Sequence, residues 1–194
     1  MPTGVAIRDV RQQLFDAAER VLLRAGPSAL TSRAVTTEAG CAKGVLHRHF
    51  VDFDDFLVEL IRDRTARVTT QAEVLRLSAG TGTVAGNLTA VLTDLFTSVA
   101  ASIVSLVIFR DDLRVRLRRT YPTGVPLLAE AAAMISAYLL AERDLGRIAA
   151  DADVDTVALT LIGSGHLLFA GGDPPDADAV LKVMSSAIAG VTAH

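Results

Sequence analysis

AGCAKGVLHRHF, residues 39–50, is the stretch on which the reading of this chain turns. Cys41, Lys43, His47, Arg48 and His49 crowd into it, in a chain that holds one Cys and four His over 194 residues. Such a cluster is either a metal or catalytic site or a short basic helix that faces a polyanion. Zinc ligands converge on one point about 2.0–2.3 Å away. His47 and His49 are two positions apart, about 200° of rotation on a helix, so they face opposite sides. Cys41 precedes the helix, and no oriented His marks it as a nucleophile. It reads as a small residue in a tight turn.

Placed on a helix from Lys43 to Phe50, Leu46 and Phe50 form one apolar stripe at i, i+4. Gly44 and Arg48 lie nearly opposite, flanked by His47 and Lys43 on one side and by Val45 and His49 on the other. A preceding helix, Arg33 to Ala39, has Thr31 or Ser32 as its cap, and Gly40 sits between the two. This pair suits a helix-turn-helix: Gly44 permits close approach, and Lys43, Arg48 and the histidines offer donors to phosphates and base edges. The wheel alone is equally compatible with a solvated basic face on an ordinary helix pair.

Charge is distributed unevenly along the chain. The net charge is −3, yet residues 1–50 carry seven Lys/Arg against four acids, which leaves −6 on the other 144 residues. A basic head on an acidic body is the asymmetry of a nucleic-acid module attached to something else. With 51% apolar residues the chain is no disordered tail. The single Cys excludes an internal disulfide and suits a reducing cytoplasm. No basic stretch followed by an apolar run marks the N-terminus as a secretion signal. The apolar run at 95–109 has 15 residues, short of the roughly 20 of a membrane span. The expectation is a cytoplasmic protein with no membrane partner.

Apolar periodicity is helical throughout. It predicts helices over 7–25, closed by Gly26-Pro27, and over Phe53 to Arg76, capped by Asp52. SAGTGTVAG (78–86) is the loop between halves, and Asn87 is read as the cap of a helix reaching Phe109. RVRLRR (114–119) is read as a solvated basic face. Further helices follow over 126–146, 154–170 and 177–191, with GGDPPD (171–176) before the last. The fold class is all-α, with about nine helices.

Beyond periodicity, the first 60 residues resemble the DNA-binding head of the tetracycline-repressor (TetR) family of transcription regulators. The matching residues are Ala17-Ala18, Leu23, Gly26, Leu30-Thr31, Val35, Ala39-Gly40, Lys43-Gly44, Leu46, His49-Phe50 and Leu57. This likeness implies a three-helix head over 1–52 and a helical regulatory domain over 53–194, linked by helix 53–76. It implies DNA contacts from Thr31, Arg33, Lys43, Gly44, His47, Arg48 and His49. Two positions depart from the family pattern. His47 stands where Tyr is usual, and Phe53 where a Lys often opens the fourth helix, which would lower the salt slope of binding by roughly one unit.

For the remainder, the resemblance implies a homodimer through helices 154–170 and 177–191, and a cavity for an unknown small effector among the middle helices. Candidate lining residues are Phe96, Val99, Ile103, Phe109, Met134, Tyr138, His166 and Phe169. Few charges fall among them, so the effector is expected to be mainly apolar. The expected function is a ligand-responsive regulator of double-stranded operator DNA, a repressor, with no cofactor, metal or catalytic residue. The alternatives are a helical protein-interaction module with a basic head and a Cys/His metal-dependent enzyme.

Overall fold

A computed structural model describes residues 4–121, 125–170 and 175–192. Among them there are ten α-helices and no strand; one isolated bridge pairs Ile148 with Thr192. The helices are α1 (Gly4–Ala25), α2 (Ser32–Glu38), α3 (Gly44–His49), α4 (Phe53–Leu77), α5 (Val84–Thr97), α6 (Val99–Phe109), α7 (Asp111–Arg118), α8 (Pro126–Asp144), α9 (Val154–Phe169) and α10 (Ala177–Ile188). The all-α expectation holds, with ten helices in place of about nine. Of the GGDPPD stretch before α10, only Pro175 and Asp176 are among the described residues.

The additional helices have local causes. The expected helix from Asn87 to Phe109 is two helices, broken at Ser98, whose backbone is extended. The Ser98 hydroxyl donates to the Leu95 carbonyl at 2.6 Å and accepts from the Ala100 amide at 3.1 Å, so it ends α5 and caps α6. Thr83, not Asn87, caps α5, accepting the Gly86 amide at 3.0 Å. Residues 114–118 of RVRLRR belong to α7, whose arginines form the expected exposed basic face while the other side of the helix is buried. Leu113 and Leu117, at i, i+4, are fully buried, and Asp111 and Asp112 occupy the first turn, where the helix dipole favours acids.

Two compact units form, Met1–Asp63 with Ser102–Val125, and Arg64–Ala101 with Pro126–His194. The first unit closes around Phe15, Phe50 and Phe56. Their centroids lie 5.1–5.9 Å apart, and Phe50 meets Phe56 edge-on. Leu14, Leu22, Leu46, Leu57 and Leu60 complete this core.

In the second unit the α4–α5 loop is fixed to α8 through a buried carboxylate, Glu142. Glu142 accepts from the Tyr138 hydroxyl at 2.6 Å and from the Gly80 amide at 3.2 Å, and pairs with Arg147 at 3.3 Å. Asn87 donates to Tyr138 Oη at 2.9 Å and to the Thr81 carbonyl at 3.0 Å. Burial, and the bond to Glu142, push the Tyr138 phenol above its ordinary range.

Candidate nucleic-acid interface

The turn between α2 and α3 is made by Gly40. Its φ of +65° belongs to the left-handed region, where a Cβ is strained. Around it the Gly40 amide reaches the Thr37 carbonyl at 3.1 Å, and the Cys41 amide reaches Thr36 at 3.0 Å. Those two bonds form a Schellman motif that satisfies the end of α2. At the other end Thr31 accepts the Ala34 amide at 3.1 Å, so its oxygen caps α2 while its O–H proton is left for an outside acceptor.

Helix α3 faces as its phase predicts. Leu46 and Phe50 are buried, while Lys43, Gly44, His47 and Arg48 are exposed and His49 is half-buried. A Cβ built on Gly44 would meet nothing within 4 Å, so internal packing does not require a glycine there. Arg33 is exposed at the start of α2. Among the described residues no carboxylate pairs with Arg33, Lys43 or Arg48. Arg20 and Arg24, in contrast, are both taken up by Glu38, at 2.8 and 2.7 Å, and they hold its carboxyl below the usual range. Three exposed cations without a carboxylate partner among the described residues thus lie on α3, at its N-terminus and at the start of α2, with His47 exposed and His49 half-buried on the same short helix. Cys41 is half-buried, and among the described residues no three His, Cys, Asp or Glu gather as a metal site.

Three residues that hold this surface escaped sequence reasoning. Arg11 lies 4.4 Å from the Phe50 ring centroid, donates to the His49 carbonyl at 3.2 Å and pairs with Glu59 at 3.4 Å. Arg116 and Arg110, from the α7 region, engage Asp52 and Asp54 at the start of α4. Nothing in the spacing of these arginines signals such distant partners.

Residues 14–60 match the bacterial regulatory proteins of the tetR family. That match falls on α1 to α4, the segment that holds the α2–α3 turn. Solved structures share its fold over almost the full length. A TetR-family regulator from Agrobacterium tumefaciens superposes with a TM-score of 0.72 at 13% identity, covering 96% of this chain and all (100%) of the other. A regulator from Saccharomonospora viridis, in complex with choline, gives 0.69 at 17% identity, with 96% and 100% covered. FadR from Bacillus subtilis, in complex with stearoyl-CoA, gives 0.66 at 18%, with 92% and 98% covered. No curated protein matches the sequence at a significant level.

The effector-side candidates of this tetR-like fold are placed unevenly. Phe96 is buried; it stacks on Phe169 at 5.5 Å and lies 6.2 Å from the His166 ring, so these three come together. Gly165 makes room for the Phe96 ring, since a Cβ there would stand 2.4 Å from Phe96 Cε2. Met134 and Tyr138 are buried on α8, the latter tied into the Glu142 network. Val99 and Ile103 are buried on α6, whereas Phe109 is 84% exposed. Two cavities of the second unit, of about 290 and 620 Å³, are lined by none of these eight residues.

Proposed function

We propose that the protein is a ligand-responsive DNA-binding transcription regulator, a repressor and not an enzyme, with 1–52 as its DNA-binding domain and 53–194 as its regulatory domain. The observation that carries this reading is α3: Leu46 and Phe50 bury one face while Gly44 and Arg48 stand exposed opposite, with Lys43 and His47 exposed beside them. A short helix presented this way suits a major groove, with cations for phosphates and imidazoles for base edges. Thr31, Arg33 and His49 extend the contact to the flanking backbone.

A single recognition helix covers a half-site, so the reading includes a homodimer through α9 and α10 that sets two heads about 34–36 Å apart. Leu159, Leu167 and Leu181 are exposed on these two helices beside Gly163, an apolar surface that a second copy would cover. The effector is a small, mainly apolar molecule. Phe96, His166 and Phe169 are the best-supported contacts, with Val99, Ile103, Phe109, Met134 and Tyr138 as further candidates. That comparable folds hold choline and stearoyl-CoA supports a small-molecule effector. The effector acts by favouring a conformation that binds operator less well, and only by as much as its own affinity differs between the two.

Selection from a random duplex pool tests the reading. Wild-type protein is expected to enrich a two-fold symmetric duplex, and the Lys43→Ala/Arg48→Ala variant to lose that enrichment. Equal enrichment by both would remove α3 from the interface.

A further inference from the structure

Helix α3 has six residues, too few to fix its own direction. What orients it is whatever holds its two ends. The N-terminal end is held by the Gly40 turn. The C-terminal end runs through Phe50 and Val51 into Asp52, the cap of α4, which accepts the Asp55 amide at 2.7 Å. Asp55 reaches back to the Val51 amide at 3.1 Å, so the corner is bonded in both directions.

A helix some sixty residues away in sequence grips that corner. Arg116 donates Nη1 to Asp52 Oδ1 at 3.0 Å and Nη2 to Asp52 Oδ2 at 2.9 Å, a fork on a carboxylate. Leu113 and Leu117 seat α7 in the core, so the fork stands on an anchored helix. Beside it Arg110 pairs with Asp54 at 3.1 Å and lies 5.8 Å from the Phe53 centroid. Phe53 stacks on Phe56, which meets Phe50 edge-on. Two contacts from the α7 region therefore converge on the residues that link α3 to α4.

We propose that Arg116 is a positioning residue for DNA recognition, acting through Asp52 to fix the direction of α3 without touching DNA itself. Arg110 reinforces it from the Phe53 side. Both terminal nitrogens of Arg116 already serve Asp52, so its charge is spent within the protein. The proposal rests on the regulator reading above, because recognition is what the corner positions.

The test uses the full chain, the duplex that the wild type enriches from a random pool, and a scrambled duplex, titrated across salt concentrations. Arg116→Ala is expected to weaken binding to the enriched duplex about two- to fivefold, the range of an exposed ion pair. Affinity for the scrambled duplex and the salt slope should not change. Asp52→Asn keeps a capping side chain but removes the fork's partner, and should lose the same selectivity. The double variant should be no worse than the worse single one, as for two residues acting through one contact. Equal weakening on both duplexes with a slope lower by about 0.9 would make Arg116 a phosphate contact and overturn the proposal. Undiminished selectivity in Arg116→Ala would overturn it as well.

Should the wild type enrich no duplex, the regulator reading fails on its own, and amide exchange of the same variants decides whether the clamp exists. Faster exchange over 45–50 in Arg116→Ala, with α9 unchanged, upholds positioning, and unchanged exchange over 45–50 overturns it.

Discussion

Arg11 on α1 stands over the Phe50 ring, 4.4 Å from guanidinium carbon to ring centroid, and its Nη1 donates to the carbonyl of His49. One side chain thus packs on the ring at the buried face of α3 and bonds to the last carbonyl of that helix. A cation over an aromatic face contributes about 0.5–1 kcal/mol at a site of this exposure. Arg11→Ala should lower unfolding stability by about 1 kcal/mol in urea titration, and Arg11→Lys should recover only part of it, since a compact ammonium does not spread over the ring.

Gly40 and Gly44 separate folding from function. At Gly40, with φ of +65°, alanine is strained, and Gly40→Ala should cost about 1–2 kcal/mol of stability. Gly44 has helical dihedrals and open space at its Cβ position, so Gly44→Ala should leave thermal stability equal or slightly higher. Its operator affinity should nevertheless fall, because the added methyl group points to where the groove would lie. A Gly44→Ala protein that binds operator like the wild type would place α3 farther from the DNA than proposed.

Gly165 tests the packing of the Phe96 ring. A Cβ there would stand 2.4 Å from Phe96, so Gly165→Ala must displace that ring or strain α9. Overpacking of this kind costs about 1–3 kcal/mol. Gly163→Ala, with open space around it, should leave stability equal or higher by up to about 1 kcal/mol, and comparing the two melting curves isolates the Phe96 contact.

Acid should loosen the head. Arg24 and Arg20 hold the Glu38 carboxyl below 4.5, and the Arg116 fork, with the Asp55 amide, holds Asp52 below 3.8. For groups whose folded-state pKa is depressed, the stability contribution is present above the unfolded value and is lost as pH falls through the folded one. Denaturation of the wild type should therefore steepen below about pH 4.5, and Glu38→Gln should flatten part of that dependence.

The head was legible in the sequence because local rules act there without competition. Leu46 and Phe50 at i, i+4, a Gly in the turn and Asp52 as a cap are all short-range signals found where their spacing put them, and of Thr31 and Ser32, both offered as the cap of α2, Thr31 takes it. Ser98 was missed because a hydroxyl within an apolar run is usually tolerated in a helix, and only its two bonds show that it ends one. Asn87 looked like a cap, yet its amide is drawn instead to Tyr138, 51 positions away. RVRLRR read as a charged surface because its one leucine, Leu117, is outnumbered by four arginines, and Leu113, which is buried with it, lies just outside the stretch. The partners of Arg116 and Arg110 lie 64 and 56 residues upstream, a separation that no periodicity reports.

Salt dependence of DNA binding tests the central claim most directly. If Lys43 and Arg48 meet phosphates, each alanine variant should lower the slope of log affinity against log salt by about 0.9, and the double variant by about twice that. Slopes unchanged from wild type in both single variants and in the double would contradict the assignment of α3 as the recognition helix.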